Sequence, residues 1–236
     1  MTTDNNIDTG EVAKFNELAH LWWDKHGDFK PLHDINPLRV EFIERHAGLA
    51  GRRVLDVGCG GGVLSEEMHR RGANVTGIDA GEIVIRVAQL HQTESATAVD
   101  YRCSSAEQLA SEGVEPFDVV TCLELLEHVP DAQRLVQTCA KLVRPGGDVF
   151  FSTINRNAKS WLKAIIGAEY VLGLLPRGTH DYQKLIRPSE LATWSRVAGL
   201  DVQILSGMSY NPFSGGVAMS KKLDVNYIVW LKRKPQ

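Results

Sequence analysis

Val54–Gly62 reads VLDVGCGGG. A short apolar run holding one acid, Asp56, meets a turn that is glycine at every position but Cys59. Such a turn removes side chains and lets a ligand approach backbone N–H groups. Its surroundings decide the fold. RVLDV (Arg53 to Val57) has strand character, and VLSEEMHRRG beyond it reads as a helix closed by Gly72. NVTGID (Asn74 to Asp79) is the next strand and EIVIRVAQLHQTE the next helix. AVDYRC (strand), AEQLASEG (short helix), FDVVTCL (strand) and DAQRLVQTCAKLV (helix) continue the alternation. Pro145-Gly146-Gly147 reads as a turn into the strand DVFFSTI. Strand–helix alternation of this kind predicts an α/β protein with a doubly wound, Rossmann-like sheet covered by helices on both faces.

Outward from this core, Asp8 with Glu11 resembles a capping box. Val12, Phe15, Leu18, Ala19, Trp22 and Trp23 then recur at helical spacing. Pro37, a favoured first-turn residue, is expected to open a second helix through LRVEFIERHAG. The stretch 155–184 breaks the rhythm. A helix from Pro188 to Ala198 and two strands, DVQILSGMSY and DVNYIVWLKR, follow it. With no linker or repeat, the expectation is a single domain over 1–236: a seven-stranded sheet, N-terminal helices, and a helical insertion (about 155–184) before the last two strands.

Composition narrows the class. Of 236 residues 43% are hydrophobic and 23% charged, and the net charge of −3 offers no basic surface for nucleic acid. Cys59, Cys103, Cys122 and Cys139 form no C-x-x-C pair and are expected as free thiols of a reducing cytosol. The polar start MTTDNNIDTGE does not read as a secretory signal, and no apolar run approaches the ~20 residues of a membrane span.

The glycine turn discriminates among ligands. The dinucleotide fingerprint needs glycine where Val63 or Ser65 stands, and a phosphate loop needs a Gly-Lys-Ser/Thr that is absent. Asp56 ahead of the turn disfavours a pyrophosphate and suits a cationic ligand. Asp79 ends the second strand, where an acid accepts hydrogen bonds from ribose hydroxyls. An adenosine bearing positive charge instead of phosphates is S-adenosylmethionine. The bland alternative is a turn that only packs helix on strand.

A second cluster, CLELLEHVPD, follows the fourth strand at the same sheet edge. On a helical turn Glu124, Glu127 and His128 would project from one face. Two carboxylates and an imidazole suit a divalent cation such as Mg²⁺. Alternatively, His128 is a general base tuned by a neighbouring carboxylate. A polar helix start with a packed histidine would explain the same residues without chemistry.

The D-V-G-C-G-G-G turn with its downstream acid resembles the first motifs of class I S-adenosylmethionine-dependent methyltransferases. WWDKHGDFKPLHDINPLRVEFI, LELLEHVPD, VRPGGDVFFSTINRN and KSWLKAIIGAEYVLGLLPRGTHDYQKLIRPSE extend the resemblance over nearly the whole chain. These stretches are similar to the ubiquinone biosynthesis O-methyltransferase family. The resemblance implies that Gly58 and Gly60 line the methionine part of the cofactor. It also implies that Asp79 binds the ribose, that Ser105 lies against adenine, and that Leu123 (often methionine in relatives) contacts the cofactor. Arg39, after NPL, is implied as a further cofactor contact. The implied reaction is O-methylation at two steps, of a polyprenyl benzene-diol and a demethylated ubiquinol. A ubiquinone biosynthesis complex is an implied partner.

Trp161, Leu162, Ile165, Ile166, Tyr170, Val171, Leu172, Leu174 and Leu175 lie between Lys159, Lys163, Arg177 and Lys184. A helix with a broad apolar face and cationic ends can lie in a membrane interface, or serve only as a lid. The expectation is a cytoplasmic protein in peripheral contact with the inner face of the cytoplasmic membrane through about 161–175. An NAD-dependent dehydrogenase is the competing enzyme class, and Val63 argues against it. A non-catalytic S-adenosylmethionine-binding scaffold has no need of the Glu124–Glu127–His128 cluster.

Overall fold

The computed structural model describes residues 6–157, 182–211 and 214–235. Eight strands form one sheet, and seven α-helices surround it among the described residues. The strands are β1 (Arg53–Val57), β2 (Asn74–Asp79), β3 (Asp100–Cys103), β4 (Phe117–Leu123), β5 (Val143–Ile154), β6 (Leu200–Asn211), β7 (Gly216–Ser220) and β8 (Asn226–Arg233). The helices are α1 (Thr9–Leu18), α2 (Lys30–Ala47), α3 (Val63–Arg70), α4 (Glu82–Ser95), α5 (Ala106–Ser111), α6 (Ala132–Leu142) and α7 (Pro188–Val197).

The strand order is β3-β2-β1-β4-β5-β8-β6-β7, with β1 to β5 parallel and β8, β6 and β7 joined antiparallel. The core strands are apolar on both faces, and successive residues feed opposite layers. Leu55, Val120 and Phe151 pack with residues of α5, α6 and α7 in one buried cluster. Their neighbours Val54, Val119 and Phe150 pack with residues of α2, α3 and α4 in the other. The chain winds outward in both directions from β1 and β4. The crevice between their carboxyl ends is therefore the place where such sheets bind ligands.

The structure corrects three expectations. The sheet has eight strands rather than seven, because Gly216–Ser220 pairs antiparallel with β6, and three strands rather than two follow the inserted stretch. The short, glycine-bordered β7 carries no alternating apolar signal. The second helix starts at Lys30, with Pro31 in its first turn and Pro37 inside it. Pro37 costs one ladder hydrogen bond, and burial of Val40, Phe42 and Ile43 on that helix offsets the loss. The Pro145-Gly146-Gly147 turn lies within β5. Val143 pairs with Phe117 and Asp148 with Val119, so the residues between them bulge out.

Cys59, Cys122 and Cys139 are buried free thiols, while Cys103 is exposed. Among the described residues no helix is long and apolar enough to cross a membrane. The expected membrane-contact stretch from Trp161 to Leu175 lies outside the described residues.

Candidate active site

At the crevice, β1 delivers Asp56 and then the glycine turn. Gly58, Gly60 and Gly62 all have positive φ (72°, 54° and 92°), a region closed to most side chains. The turn is also crowded: a Cβ on Gly58 would stand 2.8 Å from Leu125 Cδ2, and one on Gly60 2.1 Å from Trp22 Cζ2. Asp79, at the end of β2, accepts from Gly60 N (3.1 Å) through Oδ2 and from Gly81 N (2.8 Å) through Oδ1. Desolvation pushes its pKa up, and the N–H groups of Gly81 and Gly60 oppose the shift. This acid thus sets the turn's shape as well as standing beside it.

Asp56 is buried at 2% exposure and held by Ser65 Oγ (2.5 Å) and Thr121 Oγ1 (2.8 Å). Desolvation pushes its pKa up to about 6, against those two hydroxyl donors. Its carboxyl therefore braces β1, α3 and β4 beside the turn.

A cavity of about 360 Å³ opens above these groups, in the range of small-molecule sites. Gly58, Gly60, Asp79, Ser105, Leu123 and His128 all line it. Its roof is the N-terminal region, which several contacts fasten to the core. Asn6 Nδ2 donates to Asp131 O (2.7 Å), and Glu11 meets His128. Asn16 Oδ1 accepts from Ile83 N (3.2 Å), supplying a cap that Gly81 cannot give α4. Trp23 Nε1 donates to Gly61 O (2.9 Å). Ser105 plays a second part: its Oγ accepts from Gln108 N (3.1 Å), and Gln108 Oε1 accepts from Ser105 N (2.9 Å), a capping box that starts α5.

Arg39 projects from α2 into the cavity with its side chain 6% exposed. One of its amino groups donates to Glu124 Oε1 (2.7 Å), while its Nε is buried without a partner among the described residues, as is Asn36 Oδ1 beside it. Orphaned buried donors and acceptors facing a cavity fit a ligand that carries both a carboxylate and an ammonium. A methionine-type head group has that pairing, and Gly58 and Gly60 line the same cavity. The site thus fits S-adenosylmethionine on its own geometry.

The helical turn expected to carry Glu124, Glu127 and His128 is corrected. Glu124 does not begin a helical turn; it takes a left-handed φ of 53°, the kind of strain that collects at functional sites. The 3₁₀ turn Leu126–His128 comes after it, and the three side chains take different partners. Glu124 Oε1 accepts from Arg39 and from Ser152 Oγ (2.7 Å). Glu127 is buried at 3% exposure and accepts from Thr153 Oγ1 (2.8 Å). Desolvation and then the charge of Glu124 push its pKa up to about 8, so the neutral acid predominates near pH 7. His128 Nδ1 instead lies 3.0 Å from Glu11 Oε2 of α1. Among the described residues no group of three or more His, Cys, Asp and Glu side chains is placed to hold a metal ion. The described residues thus show no site for the expected Mg²⁺.

Residues 32–204 match the family model described as a methyltransferase domain. The chain is 60% identical over 230 residues to the ubiquinone biosynthesis O-methyltransferase of Pseudomonas aeruginosa (strain UCBPP-PA14), covering 98% of this chain and 99% of that one. The protein of the same name from Pseudomonas syringae pv. tomato is 59% identical with the same coverage. Among solved structures, magnesium protoporphyrin IX methyltransferase from Synechocystis PCC 6803 with bound S-adenosylhomocysteine matches with a TM-score of 0.70 at 19% identity, over 95% of this chain and 96% of that one. The N-methyltransferase NodS from Bradyrhizobium japonicum WM9 matches at 0.64 with 14% identity, over 94% and 98%. Fold and site together define a class I S-adenosylmethionine-dependent methyltransferase. Within that class, the chain belongs to the ubiquinone biosynthesis O-methyltransferase family.

Proposed function

We propose that this enzyme transfers a methyl group from S-adenosylmethionine to phenolic hydroxyls of polyprenylated catechol and quinol intermediates, at both O-methylation steps of ubiquinone biosynthesis. One observation carries the reading: a single cavity brings the bare glycine turn and Asp79 together with a histidine whose other side is held by a carboxylate.

Bound S-adenosylmethionine supplies the electrophilic methyl group. The chain's residues do the rest. Arg39, through its unpartnered Nε, takes the cofactor's carboxylate, while Glu124 and Ser152 fix the guanidinium and its partner. Gly58 and Gly60 let the methionine portion lie against the backbone, and Asp79 accepts from the ribose. Leu123 and Ser105 bound the cofactor at the ends of β4 and β3. A phenol with a pKa of about 10 is mostly protonated at neutral pH, so a base that takes its proton raises the rate. His128 is that base. Glu124 and Glu127 serve indirectly: the first holds Arg39, and the second anchors the 3₁₀ turn through Thr153. Phe15, Trp22 and Phe29 keep water from the cavity's upper wall.

The direct test is turnover of a short-tailed demethylubiquinol analogue, with NAD titrated in parallel. Methylated product from wild type, and at least a hundredfold lower kcat in His128→Ala, is the expected result. NAD binding without S-adenosylmethionine binding would overturn the reading. For the lipid-tailed substrate we further propose reversible contact with the membrane surface through about 161–175. Vesicle co-sedimentation tests it: Trp161→Ala combined with charge reversal at Lys159 and Lys163 should abolish binding, and undiminished binding refutes the contact.

A further inference from the structure

The base proposed above does not stand alone. We infer that Glu11 of α1 is a positioning residue for the reaction: it holds the His128 ring so that Nδ1 keeps the proton and Nε2 receives the one leaving the acceptor phenol. The inference rests on His128 being the base and adds the group that orients it.

The geometry is specific. Glu11 Oε2 lies 3.0 Å from His128 Nδ1, and the two side chains are only 14% and 10% exposed. An ionised carboxylate has no proton to give, so in this contact the imidazole nitrogen donates. In the neutral ring the remaining nitrogen, Nε2, then carries the lone pair. Glu11 stays ionised because Lys14 and His128 outweigh the desolvation that works against it. Lys14 Nζ lies 3.0 Å from Oε1, leaving Oε2 for the ring.

Phe15 follows Glu11 by one helical turn and so shares its face of α1. Its ring meets the His128 ring edge-on, with centroids 5.1 Å apart and planes at 84°. One face of α1 thereby fixes the imidazole by a charged hydrogen bond and by a ring contact. The start of α1 is itself secured: Asp8 Oδ1 accepts from Gly10 N (3.0 Å) and Glu11 N (3.2 Å), and Asp8 Oδ2 accepts from Lys184 Nζ (3.1 Å). Glu11, Phe15 and His128 line the same cavity as Gly58 and Asp79.

The test combines kinetics with ring spectroscopy. Glu11→Ala should lower kcat at least tenfold while the KM for S-adenosylmethionine stays within twofold. Placed in a His128→Ala background it should lower kcat no further, because a residue acting through another gives non-additive effects. In wild-type protein, long-range ¹H–¹⁵N spectra of the imidazoles should show His128 protonated at Nδ1. That readout holds even if Glu11→Ala folds poorly. Unchanged kcat in Glu11→Ala, an equal loss in the His128→Ala background, or a His128 protonated only at Nε2 would each overturn the inference. Should His128→Ala itself keep wild-type kcat, the general-base reading falls first and the dyad with it. A loss confined to His128→Ala removes the dyad alone.

Discussion

Trp22 lies over the glycine turn, so closely that a methyl group on Gly60 would stand 2.1 Å from Cζ2 and one on Gly61 2.5 Å from Cδ1. The ring also stacks on Phe29, with centroids 4.6 Å apart and planes at 27°. An N-terminal aromatic therefore closes the turn from above, and only glycine fits beneath it.

Gly60→Ala should weaken binding of S-adenosylhomocysteine at least tenfold by calorimetry. The substitution meets two obstacles, the φ of 54° and the Trp22 ring. Left-handed backbone at a non-glycine residue costs roughly 1–2 kcal/mol. Adding Trp22→Ala relieves the collision but not the backbone strain, so the double variant should recover part of the lost affinity. Equal affinity in Gly60→Ala and wild type would contradict the close approach.

Arg39→Lys should raise the cofactor Kd by about tenfold, and Arg39→Ala by more. Lysine keeps the charge but loses the fork that reaches Glu124 with one nitrogen while Nε stays available. Arg39→Ala also strands Glu124, with Ser152 Oγ still donating to its Oε1. Breaking a buried ion pair costs about 3–5 kcal/mol, and the 24% exposure of Glu124 argues for the lower end or below. A thermal melt alongside the binding isotherm separates the two effects.

Asp79→Asn is expected to weaken the cofactor by ten- to a hundredfold while the fold survives. The carboxylate accepts from Gly60 N and Gly81 N with its two oxygens. An amide can match only one of them, and the other N–H then faces a donor. One unmet buried group costs about 1–3 kcal/mol. The measurement is the S-adenosylhomocysteine Kd, with circular dichroism as the check on folding.

The central sheet was readable because local patterns specify it. Arg53–Val57 and Phe117–Leu123 are apolar runs of strand length, and the following turns announce themselves through Gly58–Gly62 and the acidic ELLEH stretch. Asp79 was readable for the same reason: a strand end fixes where its side chain goes. The partner of His128 was not. Glu11 lies 117 positions away, and its only local signature is a place near a helix start. Trp22 likewise registers in sequence as one more apolar helical position, though it covers the glycine turn. The metal-type spacing of Glu124, Glu127 and His128 presumed a regular helical turn. The left-handed φ of Glu124 and the tighter 3₁₀ turn after it break that premise. Tertiary contact decides such cases, and a local window cannot contain it.

Two buried acids make stability depend on pH with a defined sign. Asp56 and Glu127 have their folded pKa values pushed above the ordinary 3.8 and 4.5, to about 6 and about 8. Below about pH 3 both are protonated in the folded and unfolded chain alike, and neither penalises folding. As pH rises through that window the unfolded chain releases protons that the folded chain keeps, so these groups make folding less favourable. Each contributes a slope of at most about 1.4 kcal/mol per pH unit, and the effect levels off once both folded groups ionise. Glu127→Gln should therefore differ from wild type by no more than about 1 kcal/mol at pH 5, where the folded Glu127 is neutral and the unfolded one has only begun to gain from ionisation, and keep the Thr153 contact. At pH 9 the variant should melt higher than wild type by about 10 °C or more, since the shift amounts to about 5 kcal/mol at most and 1 kcal/mol moves Tm by about 2–4 °C in a chain this size. Calorimetric melts at the two pH values decide it, and a variant less stable than wild type at pH 9 would show that the buried carboxyl has a partner the structure does not reveal.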